Sequence, residues 1–309
     1  MKIIFMGTPE FAVPTLEALI DSDHEVIAVV TGQDKKRGRG HKVRSTPVKK
    51  VAEQHTLKIL QPKSLKSDDF KSALNQLTPD IFVVVAFRIL PKDVLNIPKF
   101  GSVNLHSSLL PKYRGAAPIN WAVLNGDKET GISIFQIEPK VDTGDLLFQK
   151  KITIAPTDTC QEVHDKLAML GATYLPAVLH QLEAGTISNI PQDDSKATKA
   201  PKIYPEMGEI DWSVEAVKIK NQINGLSPYP GAYAHFNGKR IKFLRADFTP
   251  ESMEAEAGTI VKHDKNTLGI QTGAGIIYPL ALQKAGKRVM PVKDFLNGFQ
   301  GKIGDKFTS

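Results

Sequence analysis

A single cysteine in 309 residues, Cys160, rules out an internal disulfide and a cysteine-based metal cluster. Its reading is a small buried side chain in a reducing compartment. No apolar run approaches the roughly 20 residues that cross a bilayer. The opening Met1-Lys2-Ile3-Ile4-Phe5-Met6-Gly7 has too short an apolar stretch for a signal peptide. No G-x-G-x-x-G fingerprint or Walker-type phosphate loop occurs. Gly7-Thr8-Pro9-Glu10-Phe11 lies where such a turn would sit, but Pro9 removes one backbone donor, so it reads as a tight strand-to-helix turn. No histidine or acidic set has metal-ligand spacing. Together these absences predict a cytoplasmic protein that needs no membrane, nucleotide cofactor or metal. The assembly is not read from them, and a monomer is the default expectation.

What is present is ordinary in amount and unusual in placement. With 41% hydrophobic and 24% charged residues the chain can build a large core in about two domains. The net charge of +7 is concentrated. Between Asp34 and Lys50 stand eight basic residues (Lys35, Lys36, Arg37, Arg39, Lys42, Arg44, Lys49 and Lys50) against one acidic one. Outside that segment the two signs balance, so the excess is a local electrostatic feature.

The first half alternates strand and helix patterns. Residues 2–6, 25–31 and 80–87 read as buried strands, and 80–87 is apolar on both faces, as a central parallel strand should be. Further strands are expected near 102–105 and 131–137. Helices are expected from Phe11 to Ile20 and after Thr46-Pro47 through Gln54. Thr159 and Glu162 form a capping box before a long helix with one apolar stripe, bent by Pro176 and closed by Gly185. Repeated βα units of this kind predict an α/β fold, a doubly wound, mostly parallel Rossmann-like sheet with helices on both faces.

This pattern dissolves near residue 186 into polar residues and three prolines, Pro191, Pro201 and Pro205. Residues 1–187 are therefore expected to form the first domain, 188–207 a linker, and 208–309 a smaller β-barrel (OB-like) domain. In the last, one helix near 214–225 precedes five short strand candidates, with Asn237-Gly238 as a hairpin signal between the first two.

Chemistry concentrates around Gly101–Pro111. If residues 102–106 are a strand, alternation puts Asn104 and His106 on one face and Val103 and Leu105 on the other. An amide and an imidazole at the end of a central strand suit an α/β active site. A buried histidine bonded to a backbone carbonyl fits the same residues. Asp142, in the turn-rich Val141-Asp142-Thr143-Gly144-Asp145, can reach His106 or simply cap its own turn.

Gly7-Thr8-Pro9, Asn104-x-His106, Ser108-Leu109-Leu110-Pro111, Tyr113-Arg114-Gly115 and Asp142-Thr143-Gly144, in this order and spacing, resemble the folate-dependent formyltransferases. Arg39-Gly40-x-Lys42, Ser45-Thr46-Pro47-Val48-Lys49, Ala200-Pro201-Lys202-Ile203 and Ile210-Asp211-Trp212 resemble the branch acting on methionyl-tRNA. The resemblance implies that Asn104, His106 and Asp142 are catalytic. It implies folate contacts from Ser108, Leu109, Leu110 and Pro111, and from Phe87, Ile89, Leu90 and Val141. Two positions depart from the pattern. Ala86-Phe87-Arg88 stands where many relatives have Ala-Tyr-Gly, and Ser107 where many have Gly.

The implied reaction takes a formyl group from 10-formyltetrahydrofolate to the amine of methionyl initiator tRNA, with no metal. Arg37, Arg39, Lys42 and Arg44 would bind acceptor-stem phosphates, although a charge run is also what a solvated loop looks like. The alternatives are a folate hydrolase releasing formate, a transferase acting on an amino sugar or purine precursor, and a catalytically silent RNA-binding protein on the same scaffold.

Overall fold

The computed structural model describes residues 1–37 and 42–309. Two compact units emerge, each assembled from three stretches. One comprises Met1–Gly115, Gly131–Ile152 and His164–Lys199; the other comprises Ala116–Thr130, Thr153–Val163 and Ala200–Ser309.

In chain order the elements begin with β1 (Lys2–Gly7), α1 (Val13–Ile20), β2 (Glu25–Val30), β3 (Lys35–Arg37), β4 (Lys42–Arg44), α2 (Pro47–Gln54) and β5 (Ile59–Leu60). Next come α3 (Asp68–Gln76), β6 (Ile81–Val85), α4 (Lys92–Leu95), β7 (Ser102–His106), β8 (Arg114–Gly115) and α5 (Pro118–Leu124). β9 (Glu129–Gln136), β10 (Leu146–Thr153) and α6 (Cys160–Glu183) follow. The last third carries β11 (Lys199–Ala200), α7 (Ala216–Gly225), β12 (Ala232–Phe236), β13 (Lys239–Thr249) and β14 (Ile260–His263). It ends with β15 (Leu268–Gln271), β16 (Ile276–Lys284), β17 (Met290–Pro291) and α8 (Val292–Leu296).

Seven strands form the main sheet, in the order β10-β9-β7-β6-β1-β2-β5. The pairs β1–β2, β1–β6, β6–β7 and β2–β5 are parallel, whereas β7–β9 is antiparallel. The all-apolar Ile81–Val85 is buried at every position because it runs through the middle of this sheet. On one face Ile4, Met6, Phe82 and Val84 pack with Phe70 and Leu74 of α3 and with Val94 and Leu95 of α4. The opposite face of β7 meets α6 closely: a Cβ on Gly171 would lie 2.3 Å from Leu105 Cδ2.

The expected caps are in place. Thr46 Oγ1 accepts from Lys49 N–H at 3.1 Å. Glu162 Oε2 accepts from Thr159 N–H at 2.8 Å, and Thr159 Oγ1 accepts from Glu162 N–H at 3.4 Å, so α6 starts with the reciprocal pair its sequence announces. Burial pushes the half-buried Cys160 thiol up to about 12, far from a reactive thiolate.

In the second unit, antiparallel strands run β12-β13-β16-β15-β14. Asn237 and Gly238 both take positive φ, 49° and 70°, as a two-residue hairpin between β12 and β13 requires. The edges of this sheet are joined by the last residues of the chain. Thr308 bridges His235 on β12, and Lys306 bridges Thr259 just before β14, which closes the sheet into a small barrel. Inside it Trp212, Phe236, Phe243, Phe295 and Phe307 form an aromatic core. Among the described residues, no helix is long and apolar enough to cross a membrane.

Candidate active site

β7 places the amide and the imidazole. It pairs with β6 on one side (Val84↔Asn104) and β9 on the other (Asn104↔Phe135, His106↔Ser133). Leu105 turns to α6, so Asn104 and His106 share the other face. The Asn104 side chain is half-buried and makes no hydrogen bond to any described residue. That leaves a donor N–H pair without a partner beside a nearly buried histidine.

His106 is 7% exposed and stands edge-on to Phe135, with ring centroids 6.5 Å apart. Its Nε2 lies 2.9 Å from the carbonyl oxygen of Tyr113. A carbonyl only accepts, so Nε2 carries the hydrogen, and in the neutral ring Nδ1 holds the free lone pair. Nδ1 lies 4.0 Å from Asp142 Oδ2. The same oxygen accepts from Gly115 N–H at 2.9 Å. His106 is tied to a carbonyl, and the Asp142 carboxylate is bonded not within its own turn but to the backbone of Gly115, while the two side chains also face each other.

The residues expected to contact folate fall into two groups. Ser108 is fully buried and its hydroxyl donates to Lys112 O at 2.6 Å. Leu110 is buried with Phe135 and Leu146, and Leu90 lies in the core against which Phe87 packs. Leu109 and Pro111 are half-buried. Ile89 and Val141 are different: both are large apolar side chains, left 73% and 47% exposed. Arg88, where the sequence departs from its pattern, donates to Pro62 O and Lys63 O at 3.0 and 3.2 Å and covers the Phe87 ring. Burial lowers its pKa from the ordinary arginine value.

Of the basic segment, Arg39 lies outside the described residues. The chain on either side forms a ribbon rather than an irregular loop, with Lys35 opposite Arg44 and Arg37 opposite Lys42. Arg44 is exposed. Lys49, by contrast, is engaged by Asp34 at 2.6 Å, and that bond, with another from Gln61, holds the Asp34 carboxyl below its usual range.

Sequence spacing marks no metal-ligand set. The fold brings together His24, His180 and Glu183, whose ligand atoms all lie within 4.8 Å of one another. The Met1 ammonium stands 3.3 Å from both His24 Nδ1 and Glu183 Oε1, so the chain's own cation already sits among them. Tyr113 O, Gly115 N–H and Gln192 are parts of the site that the residues alone did not mark. Only the Tyr113-Arg114-Gly115 motif hinted at the first two.

The matched family models are formyl transferase over residues 1–179 and the formyl transferase C-terminal domain over 202–300. A methionyl-tRNA formyltransferase of Caldanaerobacter subterraneus subsp. tengcongensis is 45% identical over 300 residues, covering 96% of this chain and 97% of that one. One from Geobacter sulfurreducens is 43% identical over 307 residues, covering 99% and 96%. Among solved structures, the N-formyltransferase of Helicobacter canadensis, in complex with folinic acid and dTDP-3-aminofucose, shares the fold at a TM-score of 0.69 and 20% identity, covering 92% of this chain and 99% of that one. The chain belongs to the folate-dependent formyltransferase family, among the methionyl-tRNA formyltransferases.

Proposed function

We propose that this protein moves the formyl group of 10-formyltetrahydrofolate to the free amino group of methionyl initiator tRNA, in the cytoplasm and without a metal. The observation that carries this reading is the unpartnered Asn104 amide on the same face as His106, whose Nε2 is anchored and whose Nδ1 faces Asp142. Formyl transfer needs a donor for an oxygen that gains charge and a base for an amine that loses a proton, and this face offers both.

The folate is a substrate and supplies the formyl carbon. A bond forms between that carbon and the methionyl nitrogen, the bond to the folate nitrogen breaks, and one proton passes from the amine to the departing nitrogen. Asn104 donates to the formyl oxygen as it becomes negative, a role typically worth roughly 3–4 kcal/mol in the transition state. His106 takes the amine's proton at Nδ1 and returns it to the leaving nitrogen. Asp142 steadies the imidazolium in between. Exposed Ile89 and Val141, with Phe87 and the Ser108–Pro111 loop, supply the apolar lining that a pterin ring needs. Arg37, Arg39, Lys42 and Arg44 hold tRNA phosphates. The barrel adds exposed positive charge of its own through Lys239 and Arg240 on the β12–β13 hairpin.

The relatives named for methionyl-tRNA are more than twice as similar to this chain as the sugar-type N-formyltransferase that shares its fold. The deciding experiment supplies 10-formyltetrahydrofolate with charged initiator tRNA, uncharged tRNA or water. Formylation of the charged tRNA alone is expected. Formate release at the same rate without tRNA would replace this reading with the hydrolase.

A further inference from the structure

The segment from Ile190 to Thr198 has the composition of a linker, yet it is bonded to both loops that hold His106 and Asp142. Ile190 and Leu146 exchange backbone hydrogen bonds of 2.8 and 2.9 Å. Gln192 Nε2 donates to Asp142 O at 3.1 Å and to Gly144 O at 2.8 Å. On the other side of the same amide, Oε1 accepts from Arg114 Nε at 3.2 Å and Nη2 at 2.7 Å. Arg114 Nη2 also donates to Asp194 Oδ1 at 2.7 Å. Thr198 completes the contact, its hydroxyl accepting from Tyr113 N–H at 2.8 Å and its carbonyl from Arg114 N–H at 2.9 Å.

The orientation of the Gln192 amide is forced. A guanidinium only donates and a carbonyl only accepts, so Oε1 must face Arg114 and Nε2 must face the loop. The loop needs such a hold. Asp142 has φ of 55°, in the left-handed region that a residue with a Cβ adopts only where its surroundings impose it. Tyr113, whose carbonyl anchors His106, is in the same region at 61°. Nor is Arg114 free to serve a substrate anion, because Gln192 and Asp194 engage it. Its bond also holds the Asp194 carboxyl below the usual range.

We propose that Gln192, oriented by Arg114 and Asp194, is a positioning residue that locks the Asp142 loop so that the carboxylate faces His106. The proposal rests on the reading of Asp142 and His106 as the reacting pair. Gln192 touches no reacting atom; it acts through the backbone of Asp142 and Gly144.

Two substitutions separate this from a merely structural role. Gln192→Ala removes the whole bridge. Gln192→Glu keeps the size and the acceptor for Arg114 but removes both N–H donors to the loop. Each should lower kcat by about tenfold or more, the scale expected when a reacting group is misplaced by a fraction of an ångström to about 1 Å. The KM values for folate and tRNA should move less than about twofold, because uniform binding is untouched. The decisive measurement is a cycle with Asp142→Asn. If Gln192 works through Asp142, Gln192→Glu should cost almost nothing further in the Asp142→Asn background. An equal fold-reduction in both backgrounds, or wild-type kcat in Gln192→Glu, overturns the proposal. Failure of the underlying reading looks different, since Asp142→Asn would then itself turn over at the wild-type rate. Should Gln192→Ala not fold, the Glu variant carries the same test.

Discussion

His106 Nδ1 and Asp142 Oδ2 stand 4.0 Å apart, and both side chains are anchored by one tripeptide. Tyr113 supplies the carbonyl for His106 Nε2, and Gly115 supplies the N–H for Asp142 Oδ2. The Tyr113-Arg114-Gly115 segment, which enters β8, therefore sets the geometry of the pair, and it fixes which imidazole nitrogen is available to receive a proton.

That assignment predicts the effect of His106→Ala. Removing a general acid–base group typically costs a hundredfold or more in turnover. The strand should survive, because its pairing to β6 and β9 is through backbone. A soluble variant with unchanged thermal unfolding and kcat reduced at least about a hundredfold is expected in a formylation assay. Wild-type turnover would remove His106 from the chemistry.

Gly144 makes a second, sterically defined prediction. A Cβ there would sit 1.7 Å from Gln136 O, a backbone atom that cannot swing aside. The Asp142-Thr143-Gly144 motif thus contains a packing requirement as well as a carboxylate. Gly144→Ala should displace the loop or the end of β9, lowering stability by about 2 kcal/mol or more in chemical unfolding, within the range of backbone clashes. Activity should fall with it. A variant as stable and active as the wild type would show that the loop has slack, and would weaken the case for its being locked.

The parts of the fold that were legible in the sequence are those whose signal is local. Alternation along Ser102–His106 puts Asn104 and His106 on one face, and apolarity over Ile81–Val85 announces a central strand. Asn237-Gly238 announces its hairpin. The antiparallel direction of β9 beside β7 was not legible, because an apolar strand carries the same pattern in either direction. The pairing of β3 with β4 was hidden by charge, since lysine and arginine side chains say nothing about where the backbone bonds. Residues 190–198 read as a linker because their bonds are made by polar groups over separations such as the 78 residues between Arg114 and Gln192. His180 and Glu183, three apart on α6, share a helix face, but that His24 joins them is a product of topology.

That last cluster predicts a pH effect on stability. His24 is 5% exposed. Burial is the largest influence lowering its pKa from 6.5, followed by the charges of His180 and the Met1 ammonium, while the Pro176 carbonyl and Glu183 act in the opposite direction. The folded-state value lies below the unfolded one, so the folded protein resists taking this proton. The contribution is fully present above the unfolded value of about 6.5 and diminishes as pH falls below it. Thermal unfolding between about pH 8 and pH 5 should show a steeper acid-side fall in Tm for the wild type than for His24→Gln. Parallel curves would mean that His24 does not contribute to acid sensitivity.

The tRNA contacts proposed for the basic ribbon give the last prediction. β3 and β4 place Arg37 opposite Lys42 and Lys35 opposite Arg44, so cationic residues recur along both strands. In the wider segment, Lys49 is set apart by its close carboxylate, Asp34. Arg39 and Lys42 match the family's motif, and neither belongs to the strand or loops that carry Asn104, His106 and Asp142. Replacing both by alanine should therefore raise the KM for tRNA while leaving folate binding within about twofold. For each phosphate no longer neutralised, the slope of log binding constant against log salt should also fall by roughly one unit. If the ribbon also steers the acceptor end, kcat will fall along with affinity, since a misplacement of about 1 Å can cost a hundredfold. tRNA binding and formylation measured across several salt concentrations, for wild type and the double variant, distinguish these effects. Identical salt slopes and kinetics would make Arg39 and Lys42 solvated bystanders and remove the ribbon's support for tRNA as the acceptor.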